Sequence, residues 1–242
     1  MTAPLAFPDL LDLIDGRSAA LRKAVADAPD PGAQVPSCPG WTLVDLLDHL
    51  AGVHLFWAAA VTAGAGFTPV APELAEGLAF GEALARAEEA TEALLAALRE
   101  AGPDRACWTW WSSDEVASDS RAVARHQVQE VAVHAHDAEL AVGAPRPVPA
   151  VAALDGLDEF PALYWGSADP WPHGPATVRL RAAEGLERTV ELAPGAAPEL
   201  LELTGTASEL LLVLHRRRPA GALLTAGSPA LLDHLLAWPR LG

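Results

Sequence analysis

The hydrophobic period of this chain changes once, and that change sets its fold class. Up to about residue 142 apolar residues recur every three or four positions; beyond the Gly143-Ala144-Pro145-Arg146-Pro147-Val148-Pro149 break they alternate. A period near 3.6 buries one stripe of a helix, and a period of two buries one face of a strand. Leu10, Leu11, Leu13, Ile14, Leu21 and Val25 mark a first helix after Pro8, closed by Pro31-Gly32. Thr42 with Asp45 three residues on has the form of a capping box, opening a second helix through Leu43, Leu46, Leu47, Leu50, Val53 and Phe56. Residues 78–98 predict a third helix that stops at Gly102-Pro103. Ser118, Asp119 and Ser120 offer N-caps for a fourth that runs to Gly143.

After the Pro-rich break, residues 177–181 and 189–192 read as half-buried strands and 200–203 and 222–225 as weaker ones, with helices over 206–216 and 228–238. The pattern predicts an α+β chain: a four-helix bundle over residues 1–145 and a smaller C-terminal α/β domain over 150–242.

Thirty-two acidic against 16 basic residues give a net charge of −16, which repels a phosphate backbone, and the only dense basic cluster is Arg216-Arg217-Arg218. Nucleic acid is therefore not an expected partner. No uninterrupted apolar run reaches the ~20 residues of a membrane span, and residues 1–8 lack the basic and apolar regions of a secretory signal. A soluble, cytoplasmic protein is the expectation, as a monomer or a small homo-oligomer. Cys38 and Cys107 lack CxxC spacing and read as reduced, buried thiols.

The chemistry gathers on the fourth helix. His126, Glu130 and His134 stand four residues apart, so they form a stripe along one side, and His49 on the second helix can face them. Two imidazoles and a carboxylate with a fourth position open suit catalytic zinc. The residues alone leave a second reading open, in which an acidic, imidazole-bearing helix face meets solvent. Gln129 stands where a zinc-protease HExxH motif needs histidine, so peptidase chemistry is not expected.

Pro36-Ser37-Cys38-Pro39-Gly40-Trp41-Thr42, followed by Asp45-Leu46-Leu47-Asp48-His49-Leu50, resembles the N-terminal signature of the mycothiol-dependent maleylpyruvate isomerase family, within the DinB-like helical bundles. Glu130-Val131-Ala132-Val133-His134 with Asp137-Ala138-Glu139 resembles its second signature. The segments 154–160 and 205–214 resemble later stretches. The resemblance implies an N-terminal DinB-like four-helix bundle followed by the smaller α/β domain, with zinc ligands at His49, Glu130 and His134 and His126 as a neighbour. Asp137 would orient His134, or else lie as a surface carboxylate.

By the same resemblance the cofactors are zinc and mycothiol or another low-molecular-weight thiol, and the substrate is a small electrophilic or unsaturated acid. The implied reaction is cis–trans isomerisation: a thiolate adds to the double bond, the adduct rotates, and elimination restores the alkene. A mycothiol S-transferase shares that first step, and a metal- or ligand-binding protein without turnover is the third possibility. Arg217 aligns with a family arginine that would hold a substrate carboxylate; a cation complementing a helix C-terminus is its other reading. Trp41 and Phe56 are pocket or core residues, and Trp108, Trp110 and Trp111 cover the bundle mouth or pack their own loop. The family often has His before the ligand Glu and Arg-Trp before the matching Asp, where this chain has Gln129 and Ala135-His136.

Overall fold

The computed structural model describes residues 4–70 and 78–239; the first three residues of the N-terminal stretch lie outside them. Residues 5–70, 78–110 and 117–146 form one compact unit, and Pro4 with residues 111–116 and 147–239 forms another.

The first unit holds four long helices, α1 (Phe7–Ala26), α2 (Leu43–Ala63), α3 (Phe80–Ala101) and α4 (Ser120–Ala141). Their starts follow from local chemistry. Pro8 lies in the first turn of α1, where a missing N–H removes no helical hydrogen bond. The Thr42 hydroxyl accepts from the Asp45 N–H at 3.2 Å, while the Asp45 carboxylate accepts from the Thr42 N–H at 2.8 Å. At α4 the Asp119 carboxylate caps the Ala122 N–H at 2.8 Å. α2 packs chiefly on α3 and α1 on α4. Leu21, Leu43, Leu46, Leu47, Leu50 and Val131 share one core with Ala83, Ala87 and Ala90, whose small side chains let α3 approach α2 closely.

The segment Leu43–Gly66 is long and apolar enough by composition to cross a membrane, with a mean hydropathy of 1.3. Its buried residues Leu43, Leu46, Leu47, Leu50 and Ala51 belong to the bundle core, which accounts for that apolarity.

The second unit opens with α5 (Ala150–Phe160), extended by a π-helical turn Pro161–Trp165 in which the Gly166 N–H reaches the Pro161 carbonyl at 3.0 Å. A four-stranded sheet follows, with β1 (Ala176–Ala182), β2 (Glu187–Leu192), β3 (Glu199–Gly205) and β4 (Leu224–Gly227) in the order β2-β1-β3-β4. β1 and β3 are parallel; both edge strands are antiparallel to their neighbours. Ala176, Val178, Leu180 and Ala182 alternate onto the buried face of β1, against which α6 (Ala207–Leu214) packs, and α7 (Pro229–Ala237) packs against β3.

The last strand lies two residues beyond its expected place at 222–225. A 3-10 turn takes residues 220–222, and the strand ends at Gly227, whose φ of 108° and close approach to the Leu200 carbonyl leave no room for a side chain.

The 143–149 segment is tied down on both sides. The Arg146 N–H donates to the Glu139 carboxylate at 3.0 Å, and the Val148 N–H to the Ser208 hydroxyl at 2.9 Å. Replacing Thr42 by alanine removes half of the α2 capping box and is expected to lower stability by about 1 kcal/mol. Urea denaturation measures this; an unchanged midpoint would show that the core alone sets where α2 begins.

Candidate metal centre

Two helices supply the site. α2 is fixed by its capping box, and His49 lies on the half-buried side of the helix while Leu46, Leu47 and Leu50 enter the core. On α4, Glu130 and His134 are one turn apart. The His49 Nε2 lies 3.0 Å from the Glu130 Oε1, and the His134 Nε2 lies 3.3 Å from that same oxygen. The ligand atoms of His49, Glu130 and His134 all lie within 4.8 Å of one another.

Electrostatics prepares this point for a cation. Burial opposes the charge on Glu130, but the charge of His134 and hydrogen bonds from His134 and His49 outweigh it, so the carboxyl sits well below its usual range. Burial also opposes a proton on His134, yet the Glu130 charge and hydrogen bonds with Asp137, Cys38 and Glu130 hold that imidazole well above its ordinary value.

The far side of His134 is equally constrained. Its Nδ1 lies 3.0 Å from the Asp137 Oδ2, the Ser37 hydroxyl donates to the Asp137 Oδ1 at 2.6 Å, and the Cys38 thiol donates to Oδ2 at 3.5 Å. Ser37 and Cys38 come from a tight loop closed by the Val35 N–H donating to the Trp41 carbonyl at 2.8 Å, with Gly40 at a φ of 86° making the turn. The same loop places the Trp41 indole 4.7 Å from the His49 ring and 6.2 Å from the His134 ring, between centroids.

The N-terminal domain model of the mycothiol maleylpyruvate isomerase family matches residues 11–139, a segment that contains His49, Glu130, His134 and Asp137. The chain belongs to this family. Two solved structures share its fold: mycothiol-dependent maleylpyruvate isomerase, at TM-score 0.62, and a histidine-to-alanine variant of it, at 0.63. Each is 12% identical, covering 92% of this chain and 93% of the other. No curated protein sequence matches.

In this member of the maleylpyruvate isomerase family His126 stands apart from the converging donors. Each four-residue step turns a helix by about 40° beyond a full circle, so a stripe that begins on Glu130 and His134 has rotated away by His126. His126 packs instead against Trp57 and Trp110, with ring centroids 5.9 and 5.6 Å away, and burial lowers its pKa. Phe56 joins an aromatic cluster with Phe67 and Trp108. Trp111 lies in the second unit.

Arg217 also lies in the second unit, just beyond α6, where its Nη1 donates to the His215 carbonyl at 3.0 Å. Its neighbour Arg216 binds the Leu236 and Pro239 carbonyls, each at 2.6 Å, and so ties down the end of α7. Sequence reasoning assigned no role to Ser37 and read Cys38 only as a buried thiol. Both lie in the Pro36–Thr42 segment, but their contacts to Asp137 span about a hundred residues.

His54, a turn and a half along α2 from His49, is fully buried beside Thr91, its Nδ1 3.2 Å from that hydroxyl. The Thr91 hydroxyl donates to the Ala87 carbonyl, so His54 is the donor in this pair and carries its proton on Nδ1. Burial lowers its pKa from 6.5 to about 4, with Glu130 partly opposing. Between those values the unfolded chain binds more protons than the folded one, so stability falls as pH drops through that window, by about 3 kcal/mol in all. In His54→Gln, stability measured by urea denaturation from pH 7 to pH 4 is expected to fall less than in the parent by that order. Parallel curves would show that His54 is not held neutral.

Proposed function

We propose that this chain is a zinc-dependent enzyme that uses a low-molecular-weight thiol, mycothiol by family, to isomerise a small unsaturated acid through reversible thiolate addition. The observation that carries the reading is the convergence of His49, Glu130 and His134 inside the segment that matches the family. Two imidazole nitrogens and one carboxylate oxygen are a donor set that zinc takes with a fourth position left open. Bound there, the metal supplies the means to hold a thiol as thiolate at neutral pH.

The chain's own residues do the rest. Asp137 accepts a hydrogen bond from the Nδ1–H of His134, which leaves the Nε2 lone pair for a metal on the Glu130 side. Ser37 keeps Asp137 from turning. Glu130 remains ionised across the neutral range and offsets the charge of a divalent cation. The Trp41 indole lies beside both imidazoles. Arg217 enters this reading through resemblance, as a bidentate partner for a substrate carboxylate.

A mycothiol S-transferase is the second reading. It draws support from positions 135 and 136, where Ala135 is buried in the bundle core and the His136 Nδ1 lies 2.9 Å from the Arg146 carbonyl, so neither side chain supplies the family's arginine.

Metal content by elemental mass spectrometry, paired with turnover of maleylpyruvate and mycothiol, tests both parts. About one zinc per chain is expected, lost in His49→Ala, Glu130→Ala and His134→Ala and kept in His126→Ala. Isomerisation should regenerate free thiol, whereas thiol retained in product would favour transfer. Zinc without thiol-dependent chemistry of either kind would leave a binding protein. Zinc lost only from His126→Ala would overturn the ligand set.

A further inference from the structure

His134 presents a cluster of donors on each of its two nitrogens. Cys38, His134 and Asp137 form a second group whose ligand atoms lie within 4.8 Å of one another, and all three residues are buried. The Cys38 Sγ is 3.5 Å and the His134 Nδ1 3.0 Å from the Asp137 Oδ2. A tetrahedral ion of zinc's size, bound at ~2.3 Å to sulfur and ~2.0 Å to nitrogen or oxygen, separates S from O by about 3.5 Å and N from O by about 3.3 Å, and a larger ion widens these edges slightly. The three atoms thus already stand close to the edges of such a polyhedron. Ser37 engages the other carboxylate oxygen, so Oδ2 keeps its direction.

We propose that Cys38, His134 Nδ1 and Asp137 form a second, thiolate-containing cation site for thiophilic ions such as cadmium, occupied in alternation with the site of His49, Glu130 and His134 Nε2. The alternation follows from imidazole chemistry. A neutral ring offers one lone pair. With the lone pair on Nε2, the Nδ1–H donates to Asp137 and an ion can sit on the Glu130 side. With it on Nδ1, the Nε2–H donates to Glu130, 3.3 Å away, and an ion can sit between Cys38 and Asp137. Filling the second site of the metal-free protein displaces the Nδ1 proton of His134 and the Cys38 thiol proton to solvent and leaves the Nε2–H on Glu130. Zinc accepts nitrogen, oxygen and sulfur donors and is met on the first face by two imidazoles and a carboxylate; a more thiophilic ion gains most from the face with sulfur.

The second site itself needs neither His49 nor a thiol cofactor, whereas its alternation rests on the proposed zinc site of His49, Glu130 and His134. The test titrates metal-free protein with cadmium alone and follows the ultraviolet cadmium–thiolate charge-transfer band. In His49→Ala, where the first face is dismantled, the band should grow to one cadmium per chain. It should be lost in His49→Ala/Cys38→Ser and kept in His49→Ala/Cys107→Ser, and Asp137→Asn should weaken binding at least tenfold. Circular dichroism of each variant confirms the helical fold. In zinc-loaded wild type, the band should appear only as zinc is released, one for one. No band in His49→Ala, or a band that survives Cys38→Ser, overturns the site. A band that grows while zinc stays bound overturns the alternation.

Discussion

Everything at the candidate centre hangs on one oxygen. The Glu130 Oε1 lies 3.0 Å from an imidazole nitrogen on α2 and 3.3 Å from another on α4. Holding a carboxylate and two imidazoles at that separation, half out of water, is costly unless each polar atom has a partner. The bundle supplies the partners by seating α2 against α3 and α4 through a core of leucine and alanine. The capping box at Thr42 sets where α2 starts, seven residues before His49. Fold and site are thus linked by helix register.

The 34–42 loop turns this pair of helices into an oriented site. It passes over the end of α2 and presents three different groups to α4: a hydroxyl, a thiol and an indole. The first two grip Asp137 and, through it, the Nδ1 of His134; the third lies beside the rings. A carboxylate held from two sides cannot rotate with the helix surface, so the orientation of the imidazole is set by the fold rather than by solvent. That makes His134 the residue on which the chemistry of both faces depends.

Much of this was legible in the sequence. The four bundle helices announce themselves by period and by caps, above all Thr42 with Asp45 and Asp119 before α4, because capping is chemistry between residues three apart. Glu130 and His134 were legible as a pair because helical spacing alone places them together. His49 stood out as an imidazole in a leucine-rich helix that could face them, and the family signature added its place in the ligand set, since nothing local says which face of α2 meets α4. α5 is hidden from a reading by period, although its Ala152, Ala153, Leu157 and Phe160 make a buried helical stripe. Its start at Pro149 and its π-helical end at Pro161 fall where prolines read as breaks. The grip of Ser37 and Cys38 on Asp137 was invisible for a different reason. Contacts across a hundred residues leave no local trace in one sequence.

The most direct test of the account is the X-ray absorption fine structure of the zinc-loaded protein, recorded before and after addition of mycothiol. The account predicts only nitrogen and oxygen neighbours near ~2.0 Å at first, and one sulfur neighbour near ~2.3 Å once the thiol is present. A sulfur neighbour before any thiol is added would place zinc on Cys38 and contradict the assignment of His49, Glu130 and His134 as its ligands.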